Sequence, residues 1–159
     1  MGETIQVVSF KLGSEEYGVD IAQVQEINRM VAITHVPRAP QFMEGVINLR
    51  GQLIPIIDLR TRFGMPRAEH TKNTRIVVTE IGAKRVGMVV DSVSEVLRLP
   101  VEQIEAAPDM ITGVGTEYIR GVGKIEDRLI ILLDLARIIS TAEKRELESA
   151  DAVAETVAA

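Results

Sequence analysis

The chain has 159 residues, of which 46% are hydrophobic and 26% are charged, a balance typical of a globular protein. The absence of cysteine excludes disulfide bonds, cysteine zinc sites and thiol catalysis, and the net charge of −5 argues against a nucleic-acid partner. Its apolar runs are too short to cross a bilayer and its first residues carry no signal-peptide pattern, so we expect a cytoplasmic protein.

The first predicted elements are two strands joined by a turn. "VVSFKLG" at 7–13 is rich in β-branched and apolar residues and ends at a glycine, which is typical of a strand entering a hairpin. The returning strand leads into "DIAQVQEI" at 20–27. Here Ile21, Val24 and Ile27 fit one helical face, or Val24 and Ile27 lie near the start of a strand. Both core packing and an exposed apolar patch for a partner helix remain open for this segment.

A second hairpin is predicted in "GVINLRGQLIPIIDL" at 45–59. Two apolar runs flank Arg50-Gly51, which marks a two-residue turn. Asp58 follows the second run directly, and its side chain suits the cap of a short helix beginning in "DLRTRF".

The rest of the chain repeats this plan. Residues 76–96 match residues 7–27 at an offset of 69, and "GVGKIEDRLIILLDL" at 121–135 matches residues 45–59 at an offset of 76. The second copy therefore carries seven extra residues, which we expect near 100–115. Because several short strands with regular turns favour small barrels, we predict a mainly β fold with two small five-stranded β-barrels from an internal duplication.

The predicted boundaries follow from this repeat. The two units cover about 5–62 and 74–138, joined by a linker at 65–73, within one domain at 1–140. Apolar residues recur every three or four positions toward the end of the chain, which predicts a C-terminal helix with a frayed tail at 141–159.

No segment carries a specific pattern for catalysis or for a cofactor. Asp58 and Asp134 end matching strands and could form an acid/base pair, but helix capping explains both of them better. His35 and His70 are isolated, and the glycines at 113–124 lack the context of a phosphate-binding loop. We therefore predict no catalytic residue, cofactor or metal site, and we interpret the five Phe and Tyr residues as core or turn residues.

The two second hairpins differ at their tips. The first has Asn48, Arg50 and Gly51 where its copy has Lys124, Glu126 and Asp127. A requirement of the fold would act on both turns. The difference therefore indicates either a partner that contacts one tip or drift at two solvated turns.

With these segments in view, the chain resembles the CheW-like domain family along nearly its whole length. The most specific motif is "EGVINLRG" at 44–51 followed by "PIIDLR" at 55–60. The resemblance implies strands exchanged between the two barrels and a C-terminal helix. It also implies a non-enzymatic adaptor that couples methyl-accepting chemoreceptors to the histidine kinase CheA in bacterial chemotaxis arrays, recruited to the membrane without inserting into it.

The resemblance also implies a receptor-binding groove between the barrels, in which Arg50 pairs with Glu26, while the residues that contact the kinase stay unassigned. Carried over position by position, the receptor-binding residues are Val24, Glu26, Gly45, Arg50, Ile76, Gly87 and Val96. Two alternatives remain: a scaffold variant that serves another two-component pathway, and a barrel that binds a small molecule.

Overall fold

A computed structural model describes residues 2–38, 42–66, 68–106 and 118–138 of the chain. Within these ranges the chain forms eleven β-strands, two 3-10 turns and two α-helices of one turn each. The strands are β1 (Thr4–Leu12), β2 (Glu15–Asp20), β3 (Val24–Arg29), β4 (Met43–Leu49), β5 (Gln52–Asp58), β6 (Arg75–Ile81), β7 (Lys84–Val90), β8 (Ser92–Pro100), β9 (Ile104–Glu105), β10 (Ile119–Ile125) and β11 (Arg128–Leu133). The helices are α1 (Leu59–Arg62) and α2 (Leu135–Ile138), and the predicted helix at 141–159 lies outside the described residues.

The strands form two sheets that exchange hairpins between the repeats. Sheet A has the order β8-β1-β2-β11-β10-β9, and sheet B has the order β3-β6-β7-β5-β4. Each sheet takes its first hairpin from one repeat and its second hairpin from the other, and the two meet through a parallel pair, β2 with β11 or β5 with β7. The predicted mainly β fold with two exchanged units is confirmed.

Neither sheet is closed into a barrel by its hydrogen bonds. In sheet B, Thr34 follows the edge strand β3 and exchanges two backbone hydrogen bonds of 2.8 and 2.9 Å with Val46 of the opposite edge. In sheet A the two-residue strand β9 has the corresponding place beside β10. Few residues bridge the edges, so the two predicted barrels are sheets that remain largely open. Sheet B has the predicted five strands, and sheet A has six.

The same bridges divide the insertion. Thr34 pairs with Val46, and Glu105 pairs with Val122 at the matching place in the other sheet. Thr34 and Glu105 are 71 positions apart, whereas the offset between the two repeats is 69 before these residues and 76 after them. Two of the seven extra residues therefore precede Glu105 and five follow it; residues 107–117 lie outside the described part of the chain. We call residues at matching positions of the two repeats counterparts.

All five aromatic residues of the chain gather in the core between the sheets. The ring centroids of Phe10 and Tyr17 are 5.9 Å apart, and Phe63 lies 5.7 Å from both Tyr17 and Tyr118. The guanidinium of Arg62 lies 4.9 Å from the Tyr118 ring and 5.3 Å from that of Phe42. Because burying one such side chain contributes about 1.5–3 kcal/mol, these rings stabilise the contact between the sheets. Their prediction as core or turn residues is confirmed.

Asp58 and Asp134 are helix caps, as predicted. Oδ1 of each carboxylate accepts a hydrogen bond of 3.1 Å from a backbone N–H of the helix that follows, that of Arg60 or Ala136. The backbone N–H of each aspartate donates to the carbonyl of an aromatic counterpart, Phe42 at 2.9 Å and Tyr118 at 2.7 Å. The two carboxylates therefore serve matching local structures in different repeats.

Candidate functional site

The β4–β5 turn presents Arg50 at its tip. Arg50 and Gly51 have φ values of 51° and 87°, the left-handed conformation that a two-residue turn needs to match the twist of its strands. Oδ1 of Asn48 accepts a 2.9 Å hydrogen bond from the Gly51 N–H, which supports the turn. Because Asn or Gly would occupy the Arg50 position with less strain, its arginine is not explained by the turn itself.

Arg50 forms an ion pair with Glu26 of β3. Its Nη2 donates to both carboxylate oxygens of Glu26, at 2.9 and 2.8 Å, and Nδ2 of Asn28 donates to Oε1 at 3.2 Å. These hydrogen bonds, from Arg50 first, hold the pKa of the Glu26 carboxyl below its ordinary value. The Arg50 side chain is 69% exposed and that of Glu26 27% exposed, so the predicted pair is present and accessible to a partner.

Four other predicted site residues also lie in sheet B. Val24 is partly buried against the core between the sheets, and Ile76 is fully buried opposite Asn28. Gly87 is buried where a Cβ atom would lie 2.5 Å from Cδ1 of Ile56. A Cβ atom at Gly45 would lie 2.2 Å from the Thr34 carbonyl oxygen. The two glycines and Ile76 therefore belong to the packing within sheet B, while Arg50 and Glu26 reach the surface.

Val96 is the predicted residue that the structure places elsewhere. It lies on β8 in sheet A, pairs with Val8 of β1 and has an exposed side chain. Its counterpart Ile27, on β3, is also exposed. An exposed apolar residue thus lies on the edge strand of each sheet, and six of the seven predicted residues share sheet B.

Sequence reasoning missed Arg85 of β7. Its Nη1 donates to Oε1 of Gln52, which lies two positions after Arg50. After the hydrogen bonds from Arg50 and Asn28, the positive charges of Arg50 and Arg85 also lower the pKa of Glu26. The sequence did carry one signal for Arg85, a reversal of charge between the repeats, because its counterpart is Glu16.

The corresponding position on sheet A holds a different ion-pair arrangement. Arg128, the counterpart of Gln52, donates from Nε and Nη2 to Glu16 at 3.2 and 2.5 Å, and from Nη1 to Glu95 at 2.8 Å. Hydrogen bonds to Glu16 and then to Glu95 raise the pKa of Arg128 above its ordinary value. Glu95 is the counterpart of Glu26, so the same acidic position is paired through a different arginine in each sheet.

Two kinds of site are not found in the described part of the chain. No group of three or more His, Cys, Asp or Glu residues among the described ranges is arranged to hold a metal ion. In the same ranges, the helices lack the length and apolar character needed to cross a membrane.

Comparison with known proteins places this geometry in a family. The model of the CheW-like domain matches residues 6–143. "Chemotaxis protein CheW" of Klebsiella aerogenes is 43% identical over 144 residues, covering 89% of this chain and 87% of the relative. The protein of the same name from Treponema pallidum is 34% identical over 149 residues, covering 91% and 88%.

A solved structure gives the same result for the fold. The crystal structure of the scaffolding protein TtCheW from Thermoanaerobacter tengcongensis superposes with a TM-score of 0.81 at 37% identity, covering 90% of this chain and 92% of that one. Sequence and fold thus agree over the same part of the chain. The chain belongs to the CheW-like domain family.

Proposed function

We propose that this chain is a non-enzymatic adaptor of a chemotaxis array, which couples chemoreceptors to the histidine kinase CheA. The family match and the relatives named as chemotaxis and scaffolding proteins support this role. In this proposal the protein acts in the cytoplasm and reaches the membrane through its partners.

The observation that carries the proposal is the Arg50–Glu26 pair. It lies at an exposed turn whose counterpart has Glu126 with nearly the same φ, 52° against 51°. The turn therefore forms equally well with either charge. Because the duplicated fold does not require Arg50, a partner that binds beside Glu26 explains the residue better than stability does.

The test compares binding with stability in two matched variants. Purified wild type, Arg50→Ala and Glu126→Ala are titrated with a cytoplasmic receptor fragment and, separately, with CheA. We expect Arg50→Ala to weaken receptor binding at least about tenfold, as losing a hydrogen-bonded interface charge does. CheA binding should be retained, the Glu126→Ala control should resemble wild type, and melting temperatures should stay within about 2 °C because exposed ion pairs contribute little.

Charge reversal gives a second measurement at the same position. Arg50→Glu places a carboxylate beside Glu26 and should bind receptor less well than Arg50→Ala does. Adding Glu26→Arg should restore part of the loss if the pair acts as a unit. Normal receptor binding by Arg50→Ala would show that the site is wrongly assigned. The adaptor proposal itself would be refuted if the wild-type protein bound neither receptor nor CheA.

A further inference from the structure

The Arg50 guanidinium is only partly used by the protein. Among the residues that the structure describes, its hydrogen bonds come from Nη2 alone and end on Glu26. Arg128 on sheet A differs, because all three of its guanidinium nitrogens donate to Glu16 or Glu95. Nε and Nη1 of Arg50 thus remain as donors at a side chain that is mostly exposed.

Arg85 adds a second guanidinium, which is bound to Gln52 two positions after Arg50 and whose charge acts on the same Glu26. Its hydrogen bond to a described residue comes from Nη1 and ends on the neutral amide of Gln52. Arg85 faces Glu80 across the β6–β7 pair, and Oε2 of Glu80 accepts a 3.0 Å hydrogen bond from Gln25. Glu26 likewise accepts from Arg50 and Asn28. Both carboxylates of this region therefore have donors, whereas the two guanidinium groups keep N–H donors that the described residues do not engage.

The repeat shows that the fold does not require this arrangement. At the corresponding positions of sheet A, Glu16 replaces Arg85, Glu126 replaces Arg50 and Arg128 replaces Gln52. There a single arginine is held by two carboxylates. The same backbone thus carries a closed ion-pair cluster in one sheet and a cluster with unused cationic donors in the other.

We propose that Arg85 is a second partner-binding residue of the sheet B site and that, with Arg50, it binds a carboxylate on the receptor surface. This inference rests on the adaptor proposal and specifies the chemistry of its receptor contact. A guanidinium binds a carboxylate through parallel hydrogen bonds, so an Asp or Glu side chain of the partner is the group that fits two arginines with unused N–H donors. Glu26 orients Arg50 for this contact, and Gln52 orients Arg85.

The test measures receptor affinity in Arg85 variants against a matched control. Arg98→Ala removes one exposed positive charge from sheet A and serves as the control. With the purified cytoplasmic receptor fragment as ligand, we expect Arg85→Ala to weaken binding about five- to tenfold and Arg85→Glu to weaken it further. Arg85→Lys, which keeps the charge but loses the planar fork, should bind with intermediate affinity. The wild-type affinity should fall as salt rises, with a shallower slope in Arg85→Ala.

A mutant cycle identifies the partner group. Each Asp and Glu of the receptor fragment's contact segment is changed to Ala and titrated against wild type and Arg85→Ala. At one position, the Ala substitution in the receptor fragment should weaken binding to the wild-type protein but weaken binding to Arg85→Ala much less. That position marks the carboxylate that Arg85 binds. If Arg85→Ala lowers the melting temperature, Arg85→Gln replaces it, because Gln keeps a donor for Gln52.

The outcomes separate this inference from the adaptor proposal. If wild type binds the fragment and Arg50→Ala weakens binding while all Arg85 variants behave like Arg98→Ala, the role of Arg85 is wrong and the adaptor role stands. Absence of any carboxylate coupled to Arg85 also overturns the inference. If wild type binds neither receptor nor CheA, the adaptor proposal itself fails.

Discussion

Asp91 links the two sheets through one cluster of hydrogen bonds, and removing it should destabilise the whole fold. It lies between β7 of sheet B and β8 of sheet A. Its carboxylate accepts from Nε and Nη2 of Arg60 at 2.8 and 2.5 Å and from the Gly13 N–H at 2.8 Å. Gly13 belongs to the β1–β2 turn of sheet A and Arg60 to α1, which follows sheet B. The counterparts of Asp91 and Arg60 are Ala22 and Ala136, so the matching pair of positions cannot form an equivalent link.

The structure sets the expected size of the effect. The side chains of Arg60 and Asp91 are 18% and 32% exposed, so water screens the pair only in part. Asp91→Ala removes the acceptor for three charge-assisted hydrogen bonds and leaves the Arg60 guanidinium partly buried without its carboxylate. Because hydrogen bonds to charged groups contribute about 1.5–3 kcal/mol each and share one acceptor here, we expect a loss of about 2–3 kcal/mol. That loss corresponds to a melting temperature lower by about 4–10 °C for a chain of this size.

A double-mutant cycle separates the pair from its surroundings. Urea unfolding of wild type, Arg60→Ala, Asp91→Ala and the double variant should give a coupling energy of about 1–2 kcal/mol. Urea is used because guanidinium chloride would screen the ion pair. The control cycle uses Lys124 and Glu105, an exposed pair at 2.9 Å with side chains 53% and 60% exposed, and should give less than about 0.5 kcal/mol. A coupling energy no larger than that of the control would refute the inter-sheet link.

Three further results are expected. Gly45→Ala should cost more than about 3 kcal/mol in chemical denaturation, because its Cβ would clash with the Thr34 carbonyl and its φ is 153°. Gly51→Ala should cost only about 1 kcal/mol, since its φ is 87° but nothing lies within 4 Å of the added atom; an equal cost at both glycines would contradict the steric argument. Hydrogen bonding, chiefly to Arg60, lowers the pKa of Asp91 in the folded state, so its stabilisation is complete above the unfolded pKa of about 3.9 and is lost as pH falls through the folded value. Urea midpoints should therefore decline below about pH 4 less steeply in Asp91→Asn than in wild type, and identical slopes would show that Asp91 does not contribute.

The order of strands and turns could be predicted from the sequence because it depends on local chemistry. Two matched offsets located both hairpins in each repeat, and the strand-ending aspartates predicted the two capped helices. The Arg50–Glu26 pair was also predicted, although through family resemblance. The sequence also indicated a specific role for Arg50, because the matching turn carries Glu126 instead.

Only the tertiary structure decided which strands lie side by side. A pattern of alternating residues specifies which face of a strand is buried, but it does not specify its neighbour, because any strand with a matching apolar face satisfies it. The exchange of hairpins therefore had no local signal beyond family resemblance. The gathering of five aromatic residues spread over the chain, the inter-sheet link at Asp91 and the contact of Arg85 with Gln52 had none at all. Each depends on residues 30 or more positions apart, which meet only when the two sheets bury their shared core.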